Sequence, residues 1–171
     1  MNDHGLTARR TMSGLDYMRR VACGEVEGAP MVHLLGMRMT EVDEGRVVIV
    51  LDDVRPEHEN GLGIAHGGLA ATLLDSALSC AVNTVMPAGK IFTTLEMKIN
   101  YVRAIRRGLG PLSCIGTVVH AGGRTATAEG RIIDASGKLY AHGTVTCIEF
   151  GGRTSRPSRA DEDVRPPEET P

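Results

Sequence analysis

Asn60, Gly63, His66, Gly67 and Gly68 form the run Asn-x-x-Gly-x-x-His-Gly-Gly; Asp75 follows nine residues after the histidine, and Thr94 lies further on. These groups could serve acyl transfer. The two glycines stand where a helix should begin, and a helix start offers unpaired backbone N–H groups at the positive end of its dipole. Glycine there lets a ligand come close to the backbone, which makes Gly67 and Gly68 candidate binding positions. A carbonyl oxygen resting on the Gly67 N–H, with the Asn60 side-chain amide as second donor, would have its growing charge stabilised during attack. The same run also suits a tight loop-to-helix turn capped by His66.

Asp75 carries the only charged side chain between positions 67 and 89, in a segment that reads as a wholly buried helix. A lone carboxylate in apolar surroundings is costly without a partner or a task. It is either a structural group bonded to backbone or to Ser79, or a catalytic acid. Gly67 and Asp75 are eight residues apart, about 12 Å along one helix, too far to flank a single carbonyl. Two such helices packed antiparallel across a two-fold axis would bring Gly67 of one chain to Asp75 of the other, giving two equivalent sites.

The elements that must position these residues follow from patterning. Residues 13–23 (SGLDYMRRVAC) open on a good N-cap and place Leu15, Met18 and Ala22 on one stripe, predicting a short amphipathic helix that acts as a lid or brace. Residues 30–35 add a helical turn. Strands are predicted over 37–40 and 46–51, around the turn Asp43-Glu44-Gly45. After a polar loop, 67–86 is a continuous helix, apolar nearly all round and ended by Pro87-Ala88-Gly89. Strands over 91–103, 112–120, 125–134 and 138–150 follow, with glycine-bearing turns between them. In 125–132 the residues Ala126, Ala128, Gly130 and Ile132 alternate with polar neighbours, so one face is wet. Strand pair, long helix and four strands give an α+β class with an antiparallel sheet of five to six strands.

Three segments are expected: an N-terminal helical extension over 1–30, a folded domain over 31–150, and a disordered tail over 151–171. The tail holds four of the eight prolines and only Val164 as a large apolar residue.

Composition narrows the function. The 171 residues carry a formal charge of −2, no Trp, three Tyr and two Phe, so there is neither a basic field nor an aromatic platform for nucleic acid. Cys23, Cys80, Cys114 and Cys147 are far apart, with no Cys-x-x-Cys pair and no zinc-like spacing; they read as buried thiols with no metal. The first twenty residues hold no apolar run of signal-peptide length, and with the free thiols this suggests a reducing cytoplasm. The stretch 67–89 is long enough for a bilayer but too polar, so no membrane role is expected. Arg103, Arg106, Arg107 and Arg124, near strand ends, are candidate phosphate ligands, although surface arginines are more often simply solvated. Met37, Met86 and Met97 read as core filler.

The run from Asn60 to Gly68, Asp75, the stretch TTLEMKINYVRA over 93–104, and Gly123-Arg124-Thr125 with Gly137-Lys138-Leu139 together resemble one family. It is the hot-dog-fold acyl-CoA thioesterases of the phenylacetate-pathway type, in the 4-hydroxybenzoyl-CoA thioesterase superfamily. The resemblance spans about 31 to 150. It implies a sheet wrapped around one central helix and a homodimer, or a dimer of dimers, with shared active sites. It also implies hydrolysis of aryl or medium- to long-chain acyl-CoA without a cofactor, coenzyme A being part of the substrate. By the same resemblance Asn60 and Gly67 would hold the thioester carbonyl, Asp75 of the other chain would activate water or attack, Thr94 would position the water, and His66 would brace the helix start. Gly68, Arg103, Arg106 and Arg124 are the expected substrate-binding residues. Ala104 departs from the family, which often has proline after this Val-Arg pair, and this bears on the coenzyme A rim. Two other readings fit the fold: a non-catalytic acyl-CoA-binding module, and a 3-hydroxyacyl thioester dehydratase.

Overall fold

A computed structural model of the chain describes residues 9–149. The expected tail over 151–171 lies outside them. In chain order the elements are α1 (Gly14–Ala22), α2 (Pro30–Leu34), β1 (Met37–Asp43), β2 (Arg46–Leu51), a 3-10 turn (Pro56–His58), α3 (Gly67–Thr84), β3 (Phe92–Tyr101), β4 (Leu112–Ala121), β5 (Thr125–Asp134) and β6 (Leu139–Glu149).

The six strands form one antiparallel sheet in the order β1-β2-β4-β5-β6-β3, and α3 lies across it, the hot-dog arrangement. Side chains point alternately to the two faces along the strands, β2 being buried on both, so one face of the sheet delivers Ile49, Leu51, Leu112, Cys114, Ile132, Val145 and Cys147 to the core. From α3 they meet Leu73, Leu74, Ala77, Leu78, Ala81 and Val82. Each fully buried Leu or Ile contributes about 1.5–3 kcal/mol. Gly116 sets how close the helix sits: a Cβ there would stand 2.5 Å from the Ala77 carbonyl oxygen. Any larger residue would lift α3 off β4.

Several boundaries differ from the sequence reading. β1 runs on to Asp43, because pairing with β2 extends it beyond its apolar start. α3 ends at Thr84, two residues early, where the Thr84 hydroxyl donates to the Ala81 carbonyl (2.7 Å) and accepts from the Gly45 N–H (2.7 Å). Nor is α3 buried all round. Gly68 is exposed and Thr72, Asp75, Ser76 and Ser79 are half-buried, forming one open stripe of small and polar residues.

α1 is a brace, with its N-cap Ser13 accepting from the Asp16 N–H. It buries Tyr17 and Met18 and leaves Ala22 exposed, so its inward stripe is rotated from the predicted one. The cause is its docking point. The Gly14 N–H donates to the Met86 carbonyl (2.9 Å), and its Cα lies so close to the Asn83 carbonyl that no side chain could fit. Of the thiols, Cys114 and Cys147 are buried, Cys80 is partly so, and Cys23, at the C-cap of α1, is exposed. Met37 and Met86 are core residues, and Met97 packs against the core.

Candidate active site

Two segments build the site. The first is the loop from Pro56 into α3. The Asn60 N–H donates to the Ile64 carbonyl (2.8 Å) and the His66 N–H to the His58 carbonyl (2.7 Å), folding the loop into a small hairpin that sets Asn60 beside the helix start. The Asn60 Oδ1 accepts from the Leu62 N–H (2.9 Å), while its Nδ2 has no protein partner among the described residues. His58 anchors this loop. It is buried, its Nδ1 accepts from the Arg55 N–H (3.2 Å), and its Nε2 faces the Arg55 guanidinium (2.9 Å). Burial, with the Arg55 cation beside it, holds the His58 imidazole below its ordinary value.

His66 is the N-cap of α3, its Nδ1 accepting from the Gly68 N–H at 2.9 Å. That bond occupies the Gly68 amide. The Gly67 N–H has no acceptor among the described residues, and it stands at the positive end of an 18-residue helix.

The second segment is the flank between α3 and β3. Asp75 is half-buried on the open stripe, contrary to the expectation that it is wholly enclosed. The Thr94 hydroxyl donates to its Oδ1 at 2.7 Å, and Oδ2 has no protein partner among the described residues. Ser79, the alternative partner considered for it, donates instead to the backbone carbonyl of Asp75 (2.6 Å).

Thr94 reaches Asp75 because β3 is bulged. Its register against β6 shifts between Thr94 and Glu96, leaving Leu95 as the extra residue. Strict alternation would put Thr94 and Met97 on opposite faces. The bulge lets Phe92, Thr94, Met97 and Ile99 all turn inwards, while Leu95 is 61% exposed.

Tyr101, at the end of β3, went unnoticed in the sequence. Its hydroxyl donates to the Gly67 carbonyl (3.1 Å), and its ring lies where a side chain at Gly67 would stand, 3.3 Å from an ideal Cβ. Gly67 is thus held from one side with its N–H free. The only sequence signal was a tyrosine closing the strand that follows the helix.

The arginines divide. Arg103 donates to the Leu139 carbonyl (2.6 Å), and Arg107 pairs with Glu59 (2.8 Å), which ties its loop to the Asn60 hairpin. Arg106 is exposed in that same loop. Arg124 is exposed beside Gly123, which accepts from Lys90, and so lies at the opposite end of the sheet. Within one chain these cations do not make a single cluster.

The geometry therefore holds an amide donor set at the start of α3 and a hydroxyl-bonded carboxylate partway along the same helix. In combination they could polarise a carbonyl and deliver an oxygen nucleophile to it.

Comparison with known proteins places this arrangement. Residues 62–141 match the thioesterase superfamily. An Archaeoglobus fulgidus protein named "Putative esterase" is 32% identical over 111 residues, covering 65% of this chain and 69% of the relative. A 1,4-dihydroxy-2-naphthoyl-CoA hydrolase of Listeria monocytogenes is 26% identical over 105 residues, 61% of this chain and 83% of that enzyme. The Escherichia coli PaaI protein from the phenylacetic acid degradation operon superposes with a TM-score of 0.71 at 24% identity, over 82% of this chain and 98% of PaaI, and so shares the fold.

Proposed function

The chain belongs to the thioesterase superfamily and is a hydrolase of acyl-CoA thioesters, and we propose that its substrates are aryl or medium- to long-chain acyl-CoAs, cleaved at a site shared by two subunits. The observation that carries the reading is the Thr94–Asp75 hydrogen bond on the open stripe of α3 (2.7 Å), eight residues from the free Gly67 amide. Those eight residues span about 12 Å, so no thioester carbonyl can touch both within one chain. The naphthoyl-CoA named for the Listeria relative supports a bulky acyl group.

The β3 edge favours pairing. It is a ten-residue strand with no neighbour on its outer side among the described residues, exposing Leu95 (61%) and Tyr101 (59%) next to the polar stripe of α3. Such an edge is a template for a second strand. Antiparallel pairing of two β3 strands sets two α3 helices side by side in opposite directions, so the Gly67 end of one faces Asp75 of the other. It also carries Arg124 of one subunit towards Arg103 and Arg106 of its partner, joining cations that one chain keeps apart.

In the mechanism that follows, the Gly67 N–H and Asn60 Nδ2 of one subunit hold the thioester carbonyl oxygen. Asp75 of the other, oriented by Thr94, takes a proton from the water that attacks the carbonyl carbon, or attacks that carbon itself to form a mixed anhydride that water then hydrolyses. Negative charge gathers on the held oxygen, coenzyme A leaves as the thiol, and the acyl group leaves as the free acid. His66 and Tyr101 fix the helix start.

Asp75→Asn keeps the shape and the Thr94 contact but removes the base. Thiol release from acyl-CoA should fall by about 10³-fold or more while acyl-CoA binding persists. Hydrolysis surviving that change would defeat the mechanism, and retained binding alone would leave the binding-module reading standing. Sharing is tested by mixing subunits. Asp75→Asn and Asn60→Ala proteins, each impaired, form mixed dimers with one intact site, so unfolding and co-refolding them should restore about a quarter of wild-type turnover. Sites confined to one chain would restore none.

A further inference from the structure

The opposite flank of α3 holds a second feature. α1, α2, β1 and β2 enclose a cavity of about 600 Å³ against α3, with Met18, Val21, Val32, Met39, Ile49 and Cys80 in its wall. That volume lies within the range that holds a small-molecule ligand. The charged residues Arg9, Glu27 and Arg38 of the wall have contacts of their own. Arg9 stacks on the Tyr17 ring at 4.4 Å, Glu27 has its own partner, and Arg38 is bonded to both oxygens of Asp52 at 2.8–3.2 Å. Arg38 is paired and Arg9 lies over the Tyr17 ring, while Met18, Val21, Val32, Met37, Met39 and Ile49 make most of the wall apolar, so the cavity suits an apolar group.

Its position relative to Asp75 is set by the helix. Cys80 is five residues on, about 7.5 Å along the axis and about 140° around it. The arc between them is the open stripe, with Ser76 and Ser79 half-buried on it. Ser76 and Ser79 are small, so the helix surface between Asp75 and Cys80 is low. The Cys80 thiol is pushed up to about 11 by burial, against the pull of Arg9 and with a smaller push from the Asp75 charge.

We propose that this cavity receives the aliphatic chain of the acyl-CoA, which crosses α3 over Ser76 and Ser79 from the carbonyl held at Asp75; the inference rests on the shared-site reading given above. Methionine and valine side chains make up much of the wall, beside the Tyr17 and His33 rings, and such adaptable apolar surface favours a flexible chain. The N-terminal helices then act as a measure of acyl length.

The test uses the full-length protein with acetyl-, decanoyl-, palmitoyl- and benzoyl-CoA. Val21→Trp on α1 and Val32→Trp on α2 each fill the cavity from outside the central helix. Each should lower kcat/KM for decanoyl-CoA relative to acetyl-CoA by about tenfold or more, with the benzoyl-to-acetyl ratio unchanged. Met39→Ala enlarges the space and should raise the ratio of palmitoyl- to decanoyl-CoA by about threefold or more, and it decides the matter if neither Trp variant folds. Ratios within about twofold of wild type in a folded variant, or a drop confined to benzoyl-CoA, overturn the proposal. If Asp75→Asn leaves hydrolysis intact, it is the catalytic reading that fails, a result the chain-length ratios do not mimic.

Discussion

The two flanks of α3 are built on opposite terms. Towards β3 the helix shows a carboxylate, small polar residues and a bare strand edge, held by a few named hydrogen bonds. Towards β1 it is roofed by α1 and α2, and the contacts are methionine, valine and a thiol around open volume. On the reading proposed above, the difference separates two tasks. Charge chemistry needs fixed donors and acceptors, which a hydrogen-bonded flank supplies, whereas fit to a chain needs adaptable apolar volume.

That division can be broken at several points. Against the loss expected for Asp75→Asn, Thr94→Val should be the next largest, lowering kcat by on the order of 10–100-fold because Asp75 loses its orienting donor. The drop should be equal for short and long acyl-CoAs in steady-state assays. A loss that grew with chain length would show that the β3 flank also measures the substrate.

Tyr101→Phe removes the bond to the Gly67 carbonyl but keeps the ring against Gly67. A decrease in kcat of about three- to tenfold, with KM little changed, is expected, since the amide is held less well for the charged oxygen. An unchanged kcat would reduce Tyr101 to packing.

The smallest effect is on stability. His58 is kept neutral in the folded loop, its imidazole held below the ordinary 6.5 by burial and by Arg55. The unfolded chain therefore binds the proton first. Stability from this group is complete above about pH 6.5 and declines as pH falls from there towards the folded value. Hydrogen exchange should show the loop over 55–66 loosening in that window before the sheet does, and His58→Gln should flatten the trend. Uniform exchange across the chain would mean that the loop has no weakness of its own.

The chain's local patterns determined a good deal. An apolar segment of helical length bounded by His-Gly-Gly and Pro-Ala-Gly, a β-branched pair before it and four alternating runs after it are enough to say that strands wrap one helix. Asp75 stood out because it is a lone charge in that segment, and simple distance along a helix led from it to the proposal of a shared site. Tertiary structure alone decided the rest. The return of β3 beside β6, the bulge at Leu95 that turns Thr94 towards Asp75, the ring of Tyr101 on Gly67 and the cavity beneath α1 all depend on registers between distant segments. So does the open stripe of α3, which apolar content had made look closed. Periodicity reports which way a side chain points along its own element; which partner it then meets is set by how elements far apart in the chain are brought together.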